Sequence, residues 1–208
     1  MQRLASLLLV VAAATAACKS GGDATADPTV PIAVSTSTAN TSSTTSVADI
    51  ATIPDVIDAP YMNRVLAALD KVDTSAVRVI VETKDVPQRV AELYNSIYND
   101  EWFTLKIDSW ISALEEDREL STIRRPVGDR VTTVDRLIAT SPGCVWMAVK
   151  RDYSQTDVAP GEPRTEYLAL QPLDPSNDPN HHNPTAWMIT TDGTNNEGRE
   201  PANPCPVS

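Results

Sequence analysis

Three cysteines, Cys18, Cys144 and Cys205, are the residues of this 208-residue chain with the most obvious chemical potential. A thiol attacks or binds metal only as the thiolate, which requires a neighbouring base and electropositive surroundings. The two histidines, His181 and His182, stand side by side, and no spacing ties either to a cysteine. Setting Cys18 apart leaves an even pair, which in an oxidising compartment reads as a structural disulfide between Cys144 and Cys205. Cys205 lies in a proline-bounded tail, Asn203-Pro204-Cys205-Pro206, that has no means of holding itself in place by packing. Closing a loop of this size stabilises a fold by roughly 4 kcal/mol in the chain-entropy model.

Other constellations carry less. Asp174, Ser176, Asp178 and Asn180 alternate like the oxygen ligands of a calcium loop. The central glycine and the late bidentate glutamate are missing, and Pro175 and Pro179 stiffen the segment. Adjacent histidines do not present two imidazoles on one helix face, so this reads as a polar surface loop and not a metal site. There is no Gly-x-Ser-x-Gly elbow and no glycine-rich phosphate loop. Asp108, Glu115 and Glu116 read as solvated carboxylates on a helix face. The candidate ligand-binding residues are Trp102 and Trp110, large rings at helical spacing, and Asp152 with Tyr153 at a strand end, where clefts form. No catalytic residue and no cofactor is expected.

These residues need elements to position them. Asp58 can cap a helix with Pro60 in its first turn; Met62, Val65, Leu66, Leu69 and Val72 follow at helical spacing. Asp73 or Thr74 reads as a restart, with Ala76, Val77, Ile80 and Val81 lining a second helix or, given the β-branched run, a strand. Asp85 and Pro87 open a helix with Val90, Leu93, Tyr94, Ile97 and Tyr98 inward. Another begins near Asp100 with Phe103, Ile107, Trp110, Ile111 and Leu114 on one face. It ends in Glu115, Glu116 and Asp117, charges unfavourable at a helix C-terminus. Beyond that the period changes. Val131 to Ala139, Cys144 to Val149, Thr165 to Gln171 and Thr185 to Thr190 read as strands, and Cys144 to Val149 is the strongest signal. Helices first and neighbouring strands second predict an α+β domain. N-terminal helices should pack on one face of a C-terminal antiparallel sheet of three to four strands.

The N-terminal part is of another kind. Arg3, an apolar run from Leu4 to Ala14 and small residues up to Cys18 have the order of a signal peptide, and the run is shorter than the ~20 residues that span a bilayer. Thr15-Ala16-Ala17-Cys18 resembles the lipobox of bacterial lipoproteins, with Thr15 where leucine is commonest; the resemblance implies a lipid on Cys18. Ala14-Thr15-Ala16 also fits an ordinary signal peptidase, which would release a soluble product. Residues 18–55 include the stretch VSTSTANTSSTTS at 34–46, which cannot bury enough apolar surface to order itself. The expected organisation is a signal peptide over 1–17, a disordered Ser/Thr-rich tether over 18–55 and one α+β domain over 56–208. The net charge of −11 and the lack of a basic stripe argue against nucleic acid as a partner.

The segments Arg151-Asp152-Tyr153-Ser154, Leu170-Gln171-Pro172-Leu173 and Asn183-Pro184-Thr185-Ala186-Trp187-Met188-Ile189, with Asp192-Gly193, Glu200-Pro201 and Pro204-Cys205, resemble an uncharacterised family of actinobacterial secreted or lipid-anchored proteins. The order of elements is similar to the nuclear transport factor 2-like cone fold. Neither resemblance brings an activity. The functional expectation is a non-catalytic interaction or ligand-binding module on the outer face of the cell membrane, held there by the N-terminal lipid. Its partner would be a cell-envelope protein or a small apolar ligand. The alternative is an enzyme or carrier for small molecules, with an apolar pocket between helices and sheet.

Overall fold

In the computed structural model, residues 50–116, 119–194 and 200–206 are described. Cys18 and the segments expected as signal peptide and, up to residue 49, tether lie outside them. The described residues form an α+β domain in which helices precede a four-stranded antiparallel sheet of order β1-β2-β3-β4. The helices are α1 (Ala59–Thr83), α2 (Gln88–Ile97), α3 (Asp100–Glu116) and the short α4 (Glu119–Thr122). The strands are β1 (Val131–Ser141), β2 (Cys144–Asp152), β3 (Arg164–Pro172) and β4 (Trp187–Thr194). None of the described helices is long and apolar enough to cross a membrane.

Helix α1 begins as its sequence demands. The Asp58 side chain accepts from the Tyr61 backbone N–H at 2.8 Å, and Pro60 sits in the first turn, where its missing N–H costs nothing. It ends at Lys84, which adopts the left-handed conformation and donates its N–H to the Ile80 carbonyl. Between these caps the helix is unbroken, which corrects the expected restart at Asp73 or Thr74. Both side chains are buried and engaged by groups far along the chain, so neither turns back to cap the backbone. With Ala76, Ile80 and Val81 packed into the core, burial outweighs the weak helix preference of the β-branched run.

The residues just before α1 also pack on the domain. Ile50 is buried, its carbonyl accepts from the Ala186 N–H at 3.0 Å, and the Thr52 carbonyl accepts from the Tyr61 hydroxyl at 2.8 Å. Residues 50–55, expected as the end of the tether, thus include contacts with the domain that begins at 56.

The sheet is covered on both sides, and this explains why β2 reads as a continuous apolar run. Val145, Met147 and Val149 face the helices together with Leu168 and Leu170 of β3 and Trp187 and Ile189 of β4. Cys144, Trp146 and Ala148 face the other way, packed with Tyr167, Ala169 and Cys205. Trp146 stacks on Tyr167 with ring centroids 5.6 Å apart. The C-terminal tail reaches this second face, where the sulfurs of Cys144 and Cys205 are at bonding distance, and Glu200 pairs with Arg136 of β1.

Candidate functional site

The helix-facing side of the sheet is apolar at one end and ionic at the other. On α1, Asp70 and Asp73 lie three residues apart and so share a face. Arg130, just before β1, spans both: its Nε donates to Asp70 at 2.8 Å, and another guanidinium nitrogen lies 3.1 Å from Asp73. Asp70 also accepts from the Thr132 N–H at 2.6 Å and hydroxyl at 2.9 Å, and Asp73 accepts from the Tyr98 hydroxyl at 3.0 Å. Burial alone would lower the pKa of Arg130, but Asp73 and Asp70 outweigh it, so the guanidinium stays charged.

A second cluster joins it across the sheet. Arg151 follows Val149 on the inner face of β2; one of its nitrogens bonds Glu166 of β3 at 2.6 Å and Asp192 of β4 at 2.7 Å. The other Asp192 oxygen has no hydrogen bond, and the Lys106 ammonium of α3 lies 3.6 Å from it. Burial would raise the pKa of Asp192, but Arg151, Lys106 and Arg130 together hold it below the ordinary carboxylate value. Lys106 also lies over the Tyr98 ring, 5.3 Å from its centroid.

Between these clusters, α3 and the turn after β2 lies a cleft of about 180 Å³. Its wall carries Asp73, Lys106 and Arg130 from the ionic clusters, with Tyr94, Trp110, Tyr153 and Asp157. The Tyr94 hydroxyl accepts from the Trp110 indole N–H at 2.8 Å and keeps its own proton to donate. Burial, with Asp73 adding to it, pushes the Tyr94 phenol well above its ordinary value, and burial raises that of Tyr153. Both phenols therefore keep their protons across the physiological range. The Tyr153 hydroxyl reaches Glu166 at 3.3 Å.

Two of the four candidate residues, Trp110 and Tyr153, are brought together in this cleft. The other two stand elsewhere. Trp102 is half-buried against the core near the α3 N-terminus, where its backbone N–H donates to the Asn99 side-chain oxygen. Asp152 is a turn carboxylate that accepts from the Ser154 N–H at 2.7 Å. The cleft lining is mixed: Val77, Ile123 and the Trp110 ring stand beside the ionic and hydroxyl groups. Helical periodicity marks which face of α1 is inward, but Asp73 on that face also has the residue type of a helix cap. Arg151 and Glu166, at the polar ends of β2 and β3 but in phase with the inward apolar positions, are the signal for the ionic clusters, because an inward charge is retained only with a partner.

The histidines sit apart from the cleft. Asp178 accepts from the His182 and Asn183 N–H groups, and Asp174 caps a short 3-10 helix, Pro175–Asn177. Backbone and side-chain hydrogen bonds from Ser176 hold the Asp174 carboxyl below its ordinary value. Asn183 fixes this loop by donating to the Ser96 and Trp187 carbonyls, each at 2.8 Å. Asp108, Glu115 and Glu116 are exposed on α3. Among the described residues no group of three or more His, Cys, Asp or Glu side chains is arranged to hold a metal ion.

No family model, curated protein or solved structure matches the chain. The resemblances noted above rest on the quoted residues and the order of elements alone.

Proposed function

We propose that this chain is an exported, lipid-tethered, non-catalytic binding module whose helix–sheet cleft takes a small solute with many hydrogen-bonding groups and no net charge. The observation that carries this reading is the composition of the cleft wall. Lys106 and Arg130 balance Asp73 and Asp157, while Tyr94 adds a neutral donor and Tyr153, whose proton goes to Glu166, an acceptor. A cleft of about 180 Å³ is below the usual size for a drug-like ligand and suits something nearer a monosaccharide or an amino acid. The non-catalytic reading is supported by how its acids are occupied. Asp73 is held by Arg130 and Tyr98, the neighbouring Glu166 and Asp192 by Arg151, and Asp157 accepts from the Thr156 hydroxyl, so each already has a partner. Export and lipid attachment at Cys18 are supported by the leader and the Ser/Thr-rich segment after it, and agree with a Cys144–Cys205 bridge.

Tryptophan fluorescence tests the binding reading, because Trp110 stands in the cleft wall. The probes are glucose, N-acetylglucosamine, glycerol, glycine and glutamine, each titrated into the protein and into a Trp110→Phe variant. A saturable change with at least one probe, lost in Trp110→Phe and weakened in Tyr94→Phe, is expected. A flat response to every probe at tens of millimolar would contradict the reading.

A further inference from the structure

A second concavity lies on a different flank of α1 from Asp70 and Asp73, and its chemistry is distinct. Arg64, Ala67, Ala68, Lys71, Val72 and Ser75 recur at three- and four-residue spacing and form one stripe along the helix. The small side chains leave a trough of about 520 Å³ between α1, α2 and the loop carrying His182. Val72 and Leu93 give it an apolar floor, while Arg64, Lys71 and Arg89 ring it with positive charge. No aspartate or glutamate stands in its wall among the described residues.

The cations are incompletely satisfied. Arg64 donates to the Pro60 carbonyl at 3.2 Å and lies over the Tyr61 ring, but its Nε is buried without a hydrogen-bond partner. Neither Arg64 nor Lys71 forms an ion pair with a carboxylate among the described residues. Arg89 donates to the His182 ring at 2.6 Å and reaches Glu92 only at 4.0 Å. In a chain of net charge −11, three cations around one trough form a local reversal of sign, which concentrates anions there.

We propose that this trough is an anion-binding site for a small soluble organic phosphate or carboxylate with a short apolar body. The anionic group meets the Arg64 fork and the Lys71 ammonium; the apolar part lies on Val72 and Leu93. A concave site of this volume suits a free molecule rather than a flat bilayer surface. Guanidinium groups bind such anions through paired N–H donors, and a lysine does so as a point charge.

The test is an amide-shift titration of the isotopically labelled full chain with hexyl phosphate, with hexanol and inorganic phosphate as reference probes. Shifts at the Ala67, Ala68 and Lys71 amides, saturating with hexyl phosphate at lower concentration than with either reference, are expected. Arg64→Gln and Lys71→Gln should each weaken binding by about tenfold, on the scale of a lost charge-assisted hydrogen bond. Lys71 is exposed, so Lys71→Gln should leave the thermal midpoint unchanged and separates binding from folding. Absence of shifts at these amides, or equal affinity in Lys71→Gln, would overturn the proposal. So would charge-dependent binding to phosphatidylglycerol vesicles without binding to hexyl phosphate, because the source would then be a membrane surface.

Discussion

Removing the Cys144–Cys205 bridge is the perturbation whose size follows most directly from the structure. The two residues are 61 apart in sequence. For a loop of that length the chain-entropy model gives about 14 cal/mol/K, or about 4 kcal/mol at 25 °C. Replacing both cysteines by alanine keeps two small apolar groups against Trp146 and Ala148, so the packing loss on that face is small beside the loss of the cross-link. Small domains are stable by roughly 5–15 kcal/mol, so the Cys144→Ala/Cys205→Ala variant should be folded at 25 °C but close to marginal. Urea unfolding of both proteins, followed by tryptophan fluorescence, gives the difference directly. A loss of about 4 kcal/mol is expected, and dithiothreitol should destabilise the parent by a similar amount and leave the variant unchanged. A difference below about 1 kcal/mol would refute the reasoning, because the tail would then be held by the Arg136–Glu200 pair and its own packing without help from the bridge.

Arg130→Met leaves Asp70 and Asp73 buried without their cation and should cost about 3–5 kcal/mol in the same assay, whereas an exposed arginine such as Arg124 replaced likewise should cost far less. Asp192 has its pKa held below the unfolded value, so its contribution to stability is fully present above about pH 4 and is lost as pH falls through the lower folded value. The fall in unfolding free energy on acidification should accordingly be shallower in Asp192→Asn than in the parent. A methyl group on Gly128 would lie 2.6 Å from the Gln155 carbonyl oxygen and 2.7 Å from its Cβ, so Gly128→Ala should lower stability by about 1–3 kcal/mol, measured by urea midpoint. A domain beginning at residue 56 should be less stable than one beginning at residue 50 by about 2–4 kcal/mol, because it loses the buried Ile50 side chain and the bond from Ala186.

Periodicity made the element order and the antiparallel sheet legible, because alternation and helical spacing are local properties. The Asp58 cap and the apolar run of β2 are such signals, and each stands where its residues put it. The cleft was only half legible. Trp110 and Tyr153 declare themselves as large rings, but the groups that give the cleft its polarity are paired across long separations. Asp73 meets Arg130 and Tyr98, and Arg151 meets Asp192, 41 residues away. A charged residue in isolation reads as solvated or as a cap, and only the fold supplies the partner that lets it be buried. For the same reason a helix restart was expected at Asp73, where the chain instead continues for ten more residues to Thr83.

The premise beneath the whole account is that the chain works outside the cytoplasm, and intact mass spectrometry of the native protein from the membrane fraction tests it in one measurement. The account predicts a chain beginning at Cys18, heavier by a diacylglyceryl group and lighter by the two hydrogens lost in joining Cys144 to Cys205. A chain that still carries residues 1–17, with all three thiols free, would contradict it.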